Sequence, residues 1–309
     1  MNKSSLSEFL LLKFSEVWEL QILHFILFLV FYLTATTVNI LIVSVIISDY
    51  HLHNPMYFLL MNLAIQDVGQ ISVIFPASMA NSLMNDSHIS YSGCVAQVLF
   101  FVFFISSDYF LLTVMAYDRY VAICTPLQYE MVMNRHTCLQ MITAVWIVSL
   151  FYAVLHTVGT FSPVFCSNVV NQFFCEIPHL LRLACTNLYM TEIAILSLSA
   201  VIAAGCFLFI VVSYGHILTI VMKFPAGQGR TRAFSTCLPH LTVFSVLVFT
   251  TYLAYFKPFS DSPSFLDLAV TMIYSMVPPL INPLIYSIRN KEIKSALKKI
   301  FCSYCNTMS

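Results

Sequence analysis

The sequence predicts an all-α membrane protein, a bundle of seven transmembrane helices. Two observations carry that expectation. Of 309 residues, 59% are hydrophobic and only 9% are charged, whereas soluble domains carry about 25% charged residues. A water-soluble fold would have to expose apolar side chains over much of its exterior; a bilayer protein need not. The apolar residues are also gathered into seven long runs, roughly 22–47, 56–80, 94–124, 139–161, 192–222, 234–256 and 266–288. Each is long enough to span a hydrocarbon core, which takes about 20 residues. No internal repeat is visible, which speaks against transporter folds built from inverted halves. Net charge is zero and the basic residues are scattered, so no nucleic-acid partner is expected.

The runs divide the chain into an N-terminal segment (1–21), the spanning domain (22–289) and a tail (290–309). The N-terminal segment carries acids and only a short apolar patch, Phe9–Leu12, so it lacks a cleavable signal pattern. The first span is expected to act as the signal anchor. Seven spans put the termini on opposite sides. Of the 14 Lys and Arg, ten fall on the side of the tail: Arg119, Arg135, Lys223, Arg230, Arg232, Arg289, Lys291, Lys294, Lys298 and Lys299. Lys3, Lys13, Arg182 and Lys257 fall on the other. Positive residues stay inside, so the C-terminus is expected in the cytoplasm and the N-terminus outside; the first inner loop, Ser48–Pro55, has no Lys or Arg and is silent. Glycosylation sequons at Asn2 and Asn85 agree with this orientation. So do Cys94, Cys166, Cys175 and Cys185, which fall outside, where disulfides persist. Four cysteines allow three pairings, and spacing does not choose among them. The remaining cysteines are expected as free thiols.

The spans carry few polar residues. In the first is Asn39. In the second, Asp67 lies about 18 Å of helix from Pro55, and in the third, Asp108 lies about 17 Å before Arg119, so the two carboxyls share a depth. Asn282 of the seventh span falls in the same half. An acid inside a span is a functional candidate; the plain alternative is an inter-helix polar clamp. Asn39, Asp67 and Asp108 are read as a hydrated polar cluster. Two acids would suit a hard cation, but no metal or cofactor is assigned. The third span ends on Asp118-Arg119-Tyr120. Cys94 to Arg119 is about 37 Å of helix, more than a core of about 30 Å, so Arg119 lies at the inner interface. The plain alternative is a snorkelling Arg. The functional reading is a switch, in which Asp118 neutralises Arg119 at rest and activation frees it, with Tyr214 of the fifth span bonding nearby. Pro283 kinks the seventh span beside Asn282, with Tyr286 below. In the tail, Ile293, Leu297 and Ile300 share a face opposed by Lys291, Lys294 and Lys298, a short amphipathic eighth helix suited to an anionic leaflet. Cys302 and Cys305 are possible lipidation points. Glu176 and His179 are read as solvated loop residues.

Several stretches together resemble the rhodopsin-like G-protein-coupled receptors, and within them the olfactory (odorant) receptors. They are EFLLLKFS (8–15), LHNPMYFLL (52–60), MAYDRYVAIC (115–124), SY (213–214), RAFSTCLPH (232–240), PPLINPLIYSIRN (278–290) and a long second outer loop with Cys166, Cys175 and Cys185. They cover nearly the whole chain in order. Lys13 and Val38 stand where the family usually has Gly, Asn54 where it has Thr, and Asp108 where it has Glu; none of these removes a transducing residue. The resemblance implies a plasma-membrane, multi-pass odorant receptor, not an enzyme, that activates a stimulatory heterotrimeric G protein and raises cyclic AMP. It implies that the start of helix six, Arg232 to His240, moves outward on activation, and that Cys94 pairs with Cys175 and Cys166 with Cys185.

The ligand is expected to be small, neutral and mostly apolar, held in the outer half of the bundle. The expected contacts are Phe101, Val102, Ile105 and Ser106 on the third span, and Leu198, Ser199 and Ile202 on the fifth. On the sixth they are Val248, Thr251, Tyr252 and Tyr255, whose spacings of three and four share a face, and on the seventh Met272 and Ser275. Such stripes also serve as helix–helix core. They carry no Lys, Arg, Asp or Glu, so a charged ligand would be desolvated without a partner. A receptor for an amine would need an acid where the third span reads Phe100-Phe101-Val102-Phe103-Phe104. A rhodopsin-like receptor for a lipid or peptide, or a transporter, is the alternative.

Overall fold

All seven apolar runs fold into long helices: α1 (Trp18–Ser48), α2 (Pro55–Met84), α3 (Tyr91–Cys124), α5 (Arg135–Phe161), α7 (Tyr189–Met222), α8 (Gln228–Phe256) and α9 (Phe265–Arg289). Short helices α4 (Tyr129–Val132) and α6 (Ile177–Leu181) lie in the loops, and α10 (292–299) follows α9. This computed structural model describes residues 7–13, 15, 17–84, 87–185, 189–223, 228–256, 265–289 and 292–299, without the side chains at 189–193, 228–240, 256, 265, 284 and 286–289. Asn2, Asn85, Cys302 and Cys305, and the side chains of Arg232, His240 and Tyr286, therefore lie outside the described residues.

Polar caps set where the helices start. Ser90 Oγ accepts from Gly93 N at 3.1 Å to open α3, and Asn134 Oδ1 accepts from Thr137 N at 2.9 Å to open α5. Pro55 takes the first position of α2, where its missing N–H costs nothing. By length and composition α1, α2, α3, α5 and the Ala194–Met222 part of α7 are apolar enough to cross a membrane. In α8 the apolar stretch is Leu241–Tyr255. α9 has 25 residues, about 37 Å of helix.

α3 runs through the middle, against α2, α5, α7 and α8, while α9 packs on α1, α2 and α8. Burial follows position: 61% of the apolar window of α2 is buried, against 11% for α7. The outward faces carry large apolar side chains such as Val30, Leu33, Val201 and Leu208, which only a lipid-facing surface tolerates in such number. Close approach of α2 and α3 depends on Gly69, because a Cβ there would run into the Phe104 ring.

At one end of the bundle the N-terminal segment is built in rather than loose. β1 (Glu8–Leu11) pairs antiparallel with β2 (His88–Ser90) and parallel with β3 (Val169–Val170), so β1 is the central strand. Phe9 is fully buried, its ring 5.9 Å from Tyr91 and 5.4 Å from Phe165. At the opposite end α10 lays Ile293 and Ala296 into a cluster with Ile42, Val45, Leu52 and Tyr57, with Leu297 beside it. Tyr57 OH donates to Glu292 Oε2 at 2.7 Å.

Candidate functional site

Toward the sheet end, α3, α5, α6, α7 and α8 border a half-open cavity of about 580 Å³. That lies within the range of small-molecule sites. Of the residues expected from spacing, Val102, Ile105, Ser106, Ser199, Ile202, Val248, Thr251, Tyr252 and Tyr255 line it. Four do not. Leu198 points out of the bundle, 53% exposed, because it sits about 100° of helical turn from Ser199. Phe101 instead packs its ring 5.2 Å from Phe174 and 6.0 Å from Tyr274. Ser275 is buried and donates to Thr271 O at 2.7 Å, and Met272 packs against the main core. Among the described residues α9 thus contributes none to the wall; α5 takes its place with Tyr152 and His156. These two, with Tyr109, Ile177 and Cys206, are wall residues that the sequence reading missed. Extending the α3 stripe by one turn would have found Tyr109. A lone His in an otherwise apolar run was the signal for His156.

These wall hydroxyls are turned toward backbone carbonyls. Ser106 Oγ donates to Phe103 O at 3.1 Å, Ser199 Oγ to Ile195 O at 2.7 Å and Thr251 Oγ1 to Leu247 O at 2.7 Å. Tyr109 OH donates to Leu247 O at 3.3 Å. His156 is buried, its Nε2 2.9 Å from Ser199 Oγ and its ring 4.5 Å from that of Tyr152. The described wall holds no Lys, Arg, Asp or Glu.

The loop between α5 and α7 roofs this end. Disulfides join Cys94 at the start of α3 to Cys175, and Cys166 to Cys185 within the loop. Next to Cys175, Glu176 is buried, not solvated as the sequence suggested. Tyr274 OH donates to its Oε1, Thr271 Oγ1 to its Oε2 at 3.3 Å, and Gln172 Nε2 to its Oε2 at 3.2 Å. The carboxyl thus pins the loop to α9. Burial pushes it up to about 7, aided by Asp267 and opposed by the donors from Tyr274, Gln172 and Thr271. His179 is also buried, with Nε2 3.7 Å from Glu176 Oε2. Burial, with Arg182 nearby, pushes it down to about 4.

At the other end of α3, Asp118 is 1% exposed and bonds both the Nε (2.9 Å) and the Nη2 of Arg119. Its second oxygen accepts from Tyr129 OH at 2.8 Å. Tyr129, on α4, was not anticipated. Burial and the Asp118 charge push its phenol well above the usual range. Tyr214 of α7 is buried within electrostatic reach of Arg119. The Tyr120 ring meets His216 edge-on at 6.2 Å.

Between these ends lies the polar cluster. Asn282 Nδ2 donates to both Asp67 oxygens, at 3.2 and 3.3 Å. Asp108 is buried close enough to Asp67 for their charges to interact. With its amide turned to satisfy both neighbours, Gln66 donates to Asp108 Oδ1 at 3.0 Å and accepts from Trp146 Nε1 at 3.1 Å. Asn39 belongs to a different task. Pro283 has no N–H to offer the Pro279 carbonyl, and Asn39 Nδ2 donates to that carbonyl at 2.9 Å instead. Pro279 likewise leaves the Ser275 carbonyl without its helical donor, and Gln70 Nε2 reaches it at 3.4 Å. Donors from α1 and α2 thus compensate the proline-broken backbone of α9.

The family model described as olfactory receptor matches residues 28–304. Among curated proteins the chain is similar to human olfactory receptor 14C36, 48% identical over 300 residues, 97% of this chain and 96% of that one. It is 46% identical to human olfactory receptor 14A16, covering 96% of each. With olfactory receptor 1G1 of Gorilla gorilla gorilla it shares 43% identity over 97% of this chain and 96% of the other.

Proposed function

The chain belongs to the olfactory receptor family, multi-pass membrane receptors that are not enzymes, and from that premise we propose that it binds a small, neutral, mostly apolar volatile in the α3–α8 cavity. Binding activates a stimulatory heterotrimeric G protein and raises cyclic AMP. The sheet end, with Asn2 and Asn85 as glycosylation sites, faces outward; Arg119 and α10 face the cytoplasm, and the molecule resides in the plasma membrane. The observation that carries this reading is the cavity itself, about 580 Å³ with apolar walls and no charged side chain among the described residues. A charged ligand would lose its hydration there without gaining a partner. A ligand of about 12 heavy atoms at roughly 0.5 kcal/mol each gains about 6 kcal/mol, which corresponds to tens of micromolar.

The Asp118–Arg119–Tyr129 group supports a resting state in which the guanidinium is neutralised and held. A bound ligand shifts the balance only through differential affinity for the two states. Arg119, Tyr120 and Tyr214 then meet the G protein, Arg232 and His240 on α8 move outward, and Asn282, Pro283 and Tyr286 give α9 its moving part. The test is a volatile panel on cells carrying a cyclic-AMP reporter, with Arg119→Ala at matched surface level beside the native receptor. Native signalling lost in the variant, with ligand binding kept, is the expected outcome. Equal signalling by both removes the switch role, and silence of the native receptor to all volatiles removes the odorant reading.

A further inference from the structure

Around Ser106, Ser199 and Thr251 the cavity wall offers hydrogen-bond acceptors where a solvated site would offer both kinds. A hydroxyl has one proton and two acceptor lone pairs. Ser106, Ser199, Thr251 and Tyr109 have each given that proton to a backbone carbonyl, as Ser and Thr do inside helices deprived of water. Their remaining lone pairs are what a ligand meets. His156 extends the pattern. With the Ser199 proton on Ile195 O, the tautomer that satisfies the 2.9 Å contact has the imidazole Nε2 as donor. That proton too is committed to the wall. Tyr152, Tyr252 and Tyr255 also line the cavity, but the acceptors concerned here are those of the small hydroxyls.

Resting on the reading of this cavity as the odorant site, we propose that the receptor selects neutral ligands bearing an O–H donor, aliphatic or aromatic alcohols, over carbonyl compounds of the same skeleton. An alcohol adds a hydrogen bond to a waiting lone pair and breaks none. At these positions a ketone or ester can be held only if the hydroxyl turns away from its carbonyl, which exchanges one bond for another. A protonated amine also brings donors, but it arrives charged at a wall with no carboxylate among the described residues. One net neutral hydrogen bond corresponds to a preference of about 2- to 12-fold. Ser106 on α3 and Thr251 on α8 are the acceptors that His156 does not share, Thr251 having Tyr109 as a further hydrogen-bond neighbour.

The test uses matched pairs, heptan-2-ol with heptan-2-one and their longer homologues, on the purified full-length receptor in detergent. Ligand-induced thermal stabilisation is read at graded concentrations, a signal that needs no G protein. The alcohol is expected to half-saturate at a concentration about 2- to 12-fold lower than its ketone throughout the series. In Ser106→Ala and in Thr251→Val that ratio is expected to fall toward one through weaker alcohol binding, with ketone binding little changed. Ketones that match or exceed their alcohols on the native receptor overturn the preference while leaving the odorant reading in place. A ratio unchanged in both variants overturns the assignment to these acceptors. Binding of neither series overturns the odorant reading and the inference with it.

Discussion

Replacing Glu176 by Gln keeps the shape of the loop tether and removes its titration. Two buried groups here respond to pH in opposite directions. The Glu176 carboxyl moves from its ordinary 4.5 to about 7 in the folded chain. Between those values the folded chain holds a proton that the unfolded chain has released. Glu176 therefore adds stability below pH 4.5 that is lost as pH rises through about 7. The His179 imidazole moves from 6.5 to about 4. Between those values the unfolded chain holds the extra proton, so its contribution is present above pH 6.5 and lost as pH falls through about 4. Each slope is about 1.4 kcal/mol per pH unit, and from 6.5 to 4.5 the two offset each other. In Glu176→Gln only the histidine slope remains, so the variant should lose on the order of 3 kcal/mol relative to the native receptor across that window. In His179→Gln only the glutamate slope remains, and the variant should gain a similar amount. The assay is the apparent melting temperature of the purified receptor at pH 7.5, 6.5, 5.5 and 4.5. Differences from the native receptor should diverge in sign as pH falls, by several degrees at the lowest pH. Parallel curves for all three proteins would refute the buried tether.

Four further outcomes are expected. Tyr129→Phe removes the donor to Asp118 Oδ1, and since a hydrogen bond to a charged group is worth about 1.5–3 kcal/mol, ligand-free signalling should rise several-fold at matched surface level; an unchanged basal level would show that this bond does not hold the resting state. Cys175→Ser opens the Cys94 bridge, a loss of about 2–5 kcal/mol, and should leave most receptor inside the secretory pathway, measured as the ratio of surface to total protein. Ile105→Phe places a larger side chain on the cavity wall and should shift preference toward shorter ligands. Leu198→Phe, on the outward face, should leave the concentration–response curves where they are; a shift there would mean the cavity is bounded differently.

The seven helices were legible in the sequence because a span is a local property. Some twenty apolar residues in a row must satisfy their backbone internally wherever they meet lipid, and Ser90, Asn134 and Pro55 mark starts within a residue or two of themselves. The Asp118–Arg119 contact was legible for the same reason, as its partners are adjacent. The buried state of Glu176 was not: two of its three donors lie on α9, with Tyr274 98 residues further along the chain. Neither was Tyr129, which reaches Asp118 only because the loop after α3 folds back, nor the use of Asn39 to complete a backbone broken at Pro283. The cavity shows the division most plainly. Periodicity told which residues share a face, so Ser199 and Ile202 stayed together. It could not tell how far each helix is rotated about its own axis, and that rotation took Met272 and Ser275 off the wall and brought in His156 from α5. Rotation is decided by packing against neighbours, where α3 meets four of the long helices at once, and no single helix carries that information.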